Sequence, residues 1–362
     1  MHTRKYSAFF PMKILFTGGG TLGPVTPLLA VAEFLTEMAS RRGQTAEFLW
    51  IGTKNGPERA LVKAAGIKFT SIPAAKVDRF FSWRNLFLPV AIFGALVKSF
   101  SLILQFKPDV LVSAGGYTAV PVHLAGKILG VRGVIHQQDL TGGITNRVLA
   151  PLANQITVAW EKLKEKFPRA IWIGNPVRRE IFHGAAERAR TKYKVRPESR
   201  VVLAFGGGTG ATSLNFTVNE MSKNLPNNVE LIHLCGIGKL WNFKETDQYH
   251  PAEFDAEMGD LYASADLVIA RAGMGTIAEV AALGKAAVLV PLTDSPQEEN
   301  AAALEDADAA VVVRDLPHLA RVVRDLLLEP EKARLLGENI KKVFPSDAAE
   351  RLAEIILGIY EK

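Results

Sequence analysis

The sequence predicts an α/β protein made of two Rossmann-like, doubly wound domains in tandem, facing one another across a cleft. Three observations lead to that expectation. A short apolar run that ends in a glycine turn and enters a helical pattern occurs twice, about 190 residues apart. The first copy is Lys13–Phe16 followed by Gly18-Gly19-Gly20-Thr21-Leu22-Gly23; the second is Val201–Phe205 followed by Gly206-Gly207-Gly208-Thr209-Gly210. Strand, glycine turn and helix form the opening unit of a doubly wound domain. In both halves further apolar runs alternate with amphipathic stretches, the pattern of parallel sheets covered on both faces. With 362 residues, 48% apolar and 22% charged, the chain can fill two cores and is not a disordered tail.

In the first half the opening strand leads into a helical pattern from Pro27 to Met38. Buried strands are expected at Glu47–Ile51, Val110–Ser113, Gly133–His136, Gln155–Val158 and Ile171–Ile173. The most hydrophobic stretch, Phe80–Phe106, is interrupted by Arg84, Pro89 and Lys98. Its longest charge-free piece, Leu86–Val97, has 12 residues, against the roughly 20 that a bilayer span requires. The chain is therefore not expected to cross a membrane. Gly174-Asn175-Pro176 reads as a hinge. Beyond it, strands are expected at Val201–Phe205, Val229–Cys235, Leu267–Ala270, Ala287–Val290 and Ala310–Val313. A last helix runs from Asp347 to Tyr360, with Ser346 or Asp347 as its cap. The expected division is a domain over 12–174, a second over 175–345, and a helical tail, 346–362, packing back toward the first. Residues 1–11 lack the apolar stretch of a secretory signal, and Met12 reads as an alternative start to Met1.

Lysine and arginine (43) exceed aspartate and glutamate (37) by six. So modest an excess suits anionic partners such as phosphates or lipid headgroups and gives no sign of a nucleic-acid surface. Cys235 is the only cysteine, which excludes an internal disulfide and a cysteine-rich metal site and fits a reducing compartment.

Glycine turns between strand and helix set bare backbone N–H groups and a positive helix end against an anion. Neither turn has the spacing of the dinucleotide fingerprint, which disfavours a nicotinamide enzyme. After the run LVIA comes Arg271-Ala272-Gly273-Met274-Gly275-Thr276-Ile277-Ala278-Glu279. There Glu279 can accept two hydrogen bonds from a ribose diol, or simply be an acid favoured near a helix start. Gln297 and Asn300, three apart, share a helix face where amides suit sugar hydroxyls, or merely form a polar helix start. Gly115-Gly116-Tyr117 and His136-Gln137-Gln138-Asp139 end strands, where open α/β sheets bind ligands; a histidine there often only supports a loop. No spacing resembles a metal-ligand set, so neither metal nor cofactor is expected.

Taken in order, GGGTLGPVTPLLAVAEFL, PDVLVSAGGYTAVP, VIHQQDLTGGITNRVLA, GNPVRREI, VLAFGGGTGATSLN, ADLVIARAGMGTIAEVAALGKAAVLVPL and Gln297-x-x-Asn300-Ala301 resemble the MurG family of GT-B glycosyltransferases over roughly residues 12 to 360. The resemblance implies a GT-B fold and an inverting transfer of N-acetylglucosamine (GlcNAc) from UDP-GlcNAc to a polyprenyl-diphosphate-linked muramyl pentapeptide, lipid I, giving lipid II of peptidoglycan. It implies that Glu279 holds the uridine ribose, within a nucleotide loop that also holds Arg271, Gly273 and Thr276. Gln297 and Asn300 would serve the donor sugar, Arg178 and Asn215 the donor side, and the backbone at Phe254 and Asp255 the uracil. Thr21, Gly23, Tyr117 and Asn146 correspond to acceptor-side or cleft residues. A cytoplasmic enzyme, peripheral on the inner face of the bacterial membrane and in contact with its anionic surface, is implied as well.

The chain departs from the family's pattern in places. The first loop normally reads GGTGGH, and here Leu22 replaces a glycine and Pro24 the histidine. The tetrapeptide HEQN is HQQD, with Gln137 for glutamate and Asp139 for asparagine. Gly208 stands for a serine and Pro296 for a histidine. The carboxylate has thus moved from 137 to 139, which makes Asp139 the expected base or sugar-orienting group, with His136 as the weaker candidate. A related transferase with a glycolipid acceptor, or a UDP-sugar-binding protein without catalysis, would share most of these residues. A UDP-GlcNAc epimerase fits the loops at Tyr117 and His136 less well.

Overall fold

The computed structural model describes residues 11–73, 88–208 and 210–361. Residues 80–87 of the apolar stretch and position 209 of the second glycine turn lie outside them. The chain divides into two units, Met1–Arg178 with Asp347–Lys362, and Arg179–Ser346.

The first unit runs β1 (Met12–Thr17), α1 (Thr26–Arg41), β2 (Ala46–Gly52), α2 (Glu58–Ala64), β3 (Lys68–Ser71), α3 (Leu88–Phe106), β4 (Val110–Ser113), α4 (Ala119–Ile128), β5 (Arg132–Gln137), α5 (Ile144–Leu149), β6 (Gln155–Val158) and β7 (Ala170–Trp172). Its seven strands are all parallel, in the order β3-β2-β1-β4-β5-β6-β7. Alternation along β1 fills two cores. Ile14 and Phe16 face α1 through Leu28 and Leu35, while Leu15 faces α3 and α4 through Ile103 and Val122.

The second unit runs α6 (Ala186–Lys192), β8 (Arg200–Phe205), α7 (Thr212–Ser222), β9 (Val229–Leu234), β10 (Tyr249–Ala252), α8 (Met258–Ser264), β11 (Leu267–Ala270), α9 (Met274–Leu283), β12 (Ala287–Leu289), α10 (Gln297–Asp306), β13 (Val311–Val312), α11 (Leu319–Leu328) and α12 (Pro330–Val343). Six parallel strands lie in the order β10-β9-β8-β11-β12-β13. The last helix, α13 (Ala348–Tyr360), joins the first unit's core through Leu352, Ala353, Ile356 and Leu357. Its N-cap is Asp347, but no side-chain cap bond forms; the carboxylate instead accepts from Arg351 Nε at 2.8 Å. An ion pair one turn along has taken the oxygen expected to cap the helix.

Each sheet is wound outward from its centre, so strand order reverses between β1 and β4 in one unit and between β8 and β11 in the other. At such a reversal the loops leave the strand ends in opposite directions and open a crevice that ligands fill. The Gly18 and Gly115 loops flank the first reversal; the Gly206 and Arg271 loops flank the second. Position in the fold thus selects four of the motifs read from the sequence.

Candidate active site

At the second reversal, Phe205 pairs with Ala270, so the Gly206 and Arg271 loops start side by side. The glycine turn is forced by packing. A Cβ on Gly210 would lie 2.1 Å from the Cys235 carbonyl oxygen, and one on Gly206 2.3 Å from the Ala211 nitrogen. Only bare backbone fits there. Gly273, the N-cap of α9, is different: its φ is −76° and a Cβ would meet nothing within 4 Å. The protein itself does not demand glycine at 273, where the space beside the backbone is open.

Arg271 donates from Nη1 to the carbonyls of Val290 (3.2 Å) and Pro291 (3.0 Å), and from Nη2 to Ser213 Oγ (3.1 Å). It thereby ties β11, β12 and the first turn of α7 together, and partial burial lowers its pKa. Glu279, half-buried on α9, accepts from the Tyr262 hydroxyl at 2.9 Å; the Tyr262 ring is buried against Phe205. Tyr262 was not legible as a site residue, since nothing in the sequence pairs position 262 of one helix with 279 of another. Thr276 is half-buried near the start of α9, and Gly208 is exposed.

Gln297 opens α10 and its Oε1 accepts the Leu292 N–H at 3.0 Å, closing the intervening loop, while Asn300 is buried one turn on. Asn215 is fully buried: Nδ2 donates to the Cys235 carbonyl at 2.7 Å, and Oδ1 lies 3.2 Å from His233 Nε2. It braces the glycine turn from behind rather than presenting its amide outward. Phe254 is exposed. The Asp255 side chain is turned inward; burial alone would raise its pKa, but bonds from Lys192, the Glu257 N–H and Tyr193 outweigh this and hold it low. The backbone of this segment, not the carboxylate, is what the loop offers.

At the first reversal the glycine turn already has an anion beneath it. Glu58 is fully buried; it accepts from the Gly20 N–H at 3.3 Å, the Thr53 N–H at 2.7 Å and the Thr53 hydroxyl. Tyr117 covers Gly20 so closely that a Cβ there would lie 2.6 Å from its ring. Burial and then the Glu58 charge raise the Tyr117 pKa, against a lowering bond with Thr53. Both glycine turns read as anion sites in the sequence; here the first one's Gly20 amide is paired with the protein's own carboxylate. Thr21 and Gly23 are exposed on this turn.

After β5, His136 is fully buried with Nδ1 3.0 Å from Thr157 Oγ1 and Nε2 3.1 Å from Asn175 Oδ1. Asn175 Oδ1 only accepts, so Nε2 carries the proton. Burial lowers the His136 pKa to about 4, in spite of the Asn175 bond that raises it. A ring so enclosed holds the Asn175 loop and does not reach a substrate. Gln137 donates from Nε2 to the Asp139 carbonyl at 2.6 Å and accepts from Asn146 Nδ2 at 2.8 Å. Asp139 itself is half-buried, as is Arg178. Gln138 Oε1, Asn146 Oδ1 and Thr118 Oγ1 are buried with no hydrogen-bond partner among the described residues. Buried polar atoms are normally satisfied, and unsatisfied ones on the loops after β4 and β5 and on α5 suit a polar ligand there.

The glycosyltransferase family 28 N-terminal domain matches residues 14–158, and the family 28 C-terminal domain matches residues 201–352. The UDP-N-acetylglucosamine–N-acetylmuramyl-(pentapeptide) pyrophosphoryl-undecaprenol N-acetylglucosamine transferase of Bacillus subtilis (strain 168) is 31% identical over 362 residues, spanning 95% of this chain and 99% of that protein. The chain belongs to the MurG family of family 28 glycosyltransferases. A transferase of the same description from Desulforudis audaxviator is 34% identical over 369 residues, spanning 95% of this chain and 98% of its own. Among solved structures, Acinetobacter baumannii MurG superposes with a TM-score of 0.72 at 24% identity, covering 96% of this chain and all of that one. A Neisseria meningitidis UDP-GlcNAc 2-epimerase superposes with a TM-score of 0.69 at 15% identity, covering 96% of this chain, which is likeness of fold alone. The two family 28 domain matches each contain one of the strand-order reversals.

Proposed function

We propose that this chain is an inverting hexosyltransferase that moves GlcNAc from UDP-GlcNAc to lipid I, giving lipid II. The observation that carries the proposal is the end-to-end likeness to transferases of that description, at 31–34% identity. The geometry of the second unit supports it. Glu279, oriented by Tyr262, presents a carboxylate to the ribose diol. The Gly206–Gly210 turn and the start of α7 meet the diphosphate, and Gln297 faces the donor sugar, with the buried Asn300 one turn behind it.

The acceptor hydroxyl attacks the anomeric carbon while the bond from that carbon to the diphosphate oxygen breaks, and the electron pair leaves on UDP. Fixed dipoles at the glycine turn and helix starts stabilise that charge. Asp139 takes the hydroxyl proton as base. Gln137 holds the Asp139 backbone, and His136 acts through Asn175 as a positioning residue. Tyr117, Thr21, Gly23 and Asn146 form the acceptor side of the first unit.

The acceptor is lipid-linked, so the enzyme must work at a membrane surface. No helix among the described residues is long and apolar enough to cross a membrane. Instead Ile92, Phe93 and Val97 of α3, Ile128 of α4, and Ile144 and Val148 of α5 are exposed, along with Lys98, Lys127 and Arg147. Apolar side chains rimmed by cations suit peripheral attachment to the anionic inner face of the cell membrane.

The test is transfer of radiolabelled GlcNAc from UDP-GlcNAc to a lipid I analogue, with diacylglycerol in parallel. Label on the lipid I analogue alone supports the proposal. Label on diacylglycerol would mean a glycolipid synthase, the reading that the exchanges at Pro24 and Gln137 favour, and no label on either would leave a UDP-sugar-binding protein.

A further inference from the structure

We infer that Lys239 is the cation that meets the donor diphosphate as it departs, a role that rests on the donor reading above. Lys239 lies in the loop after β9, outside every motif read from the sequence. Its ammonium donates to the Gly210 carbonyl at 3.2 Å, on the same turn that faces the diphosphate. An ammonium has three N–H donors, and with this one bond among the described residues two remain for a phosphate oxygen.

The loop that carries Lys239 is held firmly. Gly236 and Gly238 have φ of +95° and +73°, and the Lys239 N–H closes a turn onto the Gly236 carbonyl at 2.9 Å. Trp241, a bulky residue, sits at φ +44°, a conformation that persists only where its surroundings impose it. Here the constraint is visible: the indole stacks on Phe216 of α7 at 5.0 Å between centroids and meets Phe243 edge-on at 5.5 Å. The lysine loop is therefore fastened to the helix whose first turn opens the diphosphate cradle. Cys235, whose carbonyl the turn lies against, immediately precedes that loop.

Arg271, across the reversal, is committed elsewhere, because it spends its guanidinium on the Val290 and Pro291 carbonyls and on Ser213. When the bond to the anomeric carbon breaks, the electron pair stays on the diphosphate oxygen. The new negative charge then falls beside the Lys239 ammonium, which exchanges part of its bond with a neutral carbonyl for one with an ion.

Two substitutions separate charge from bracing. Lys239→Gln keeps a donor for the Gly210 carbonyl and removes the charge; Lys239→Arg keeps the charge. Calorimetric titration of the full chain with UDP and with uridine should show Lys239→Gln weakening UDP roughly 10- to 100-fold, with uridine affinity unchanged. Lys239→Arg should bind UDP within about threefold of wild type, because it retains the charge. UDP affinity unaltered in Lys239→Gln would overturn the assignment, as would an equal loss for UDP and uridine, which marks a bracing role alone. Wild-type protein that binds neither ligand would overturn the donor reading itself, and the assignment with it.

Discussion

At Gln137 the side-chain amide both donates, to the Asp139 carbonyl, and accepts, from Asn146. A glutamate could accept but not donate, and would set a carboxylate against that carbonyl. The paired exchange of HEQN to HQQD is thus consistent in structure: the amide positions the loop and Asp139 carries the charge. Asp139→Asn should lower turnover about 10²- to 10⁴-fold, the usual worth of a base, while UDP binding persists. Gln137→Glu alone should lower turnover as well, and the double variant, which restores HEQN, should recover part of what either loses. Near-normal turnover in Asp139→Asn would remove it from the role. Burial makes a second prediction. His123, His136 and His233 are pushed down to about 3, 4 and 4. Between those values and the ordinary 6.5 the unfolded chain binds protons that the native state refuses, so stability falls as pH drops below about 6.5. Each unit is worth about 1.4 kcal/mol per histidine. Denaturation midpoints should therefore fall between pH 7 and pH 5, and His136→Gln should lose roughly 2 kcal/mol less than wild type over that range. A pH-independent midpoint would contradict the burial. Glu279 and Gln297 were legible because each stands in a motif. Glu58, Tyr262 and Lys239 were not, since their partners come from distant strands and helices.

Among elements, strands with continuous apolar runs were legible to within a residue or two. The two missed strands have physical excuses. β3 reads Lys-Phe-Thr-Ser, a half-exposed sheet edge with no apolar run, and β10 contains Pro251, which demotes a run to an edge. The helix α3 divides its own sequence: Ala95, Ser99, Ile103 and Phe106 are buried, whereas Ile92, Phe93, Val97 and Leu104 are exposed. That split gives the segment a face that covers the core and leaves the other for the membrane contact proposed above. A Phe93→Glu, Ile144→Glu variant should lose flotation with anionic liposomes by about tenfold or more and keep its melting temperature, as both side chains are more than half exposed. Flotation equal to wild type would exclude this face as the attachment site.

For the molecule as a whole, two units of the same doubly wound plan differ at the same topological place. In the first unit the glycine turn at the reversal is occupied from below by Glu58; in the second no carboxylate among the described residues bonds to the turn, and Lys239 bonds to it instead. Sequence spacing showed the repeated strand–turn–helix pattern but not this difference, which depends on where a buried acid from another element comes to rest. The central claim is that the sugar nucleotide is held at the second reversal, its ribose on Glu279. A crystal structure of the protein with UDP tests it most directly. The account predicts both ribose hydroxyls within hydrogen-bonding distance of the Glu279 carboxylate and the diphosphate on the Gly206–Gly210 turn. UDP bound elsewhere, with no ribose hydroxyl in contact with the Glu279 carboxylate, would contradict it.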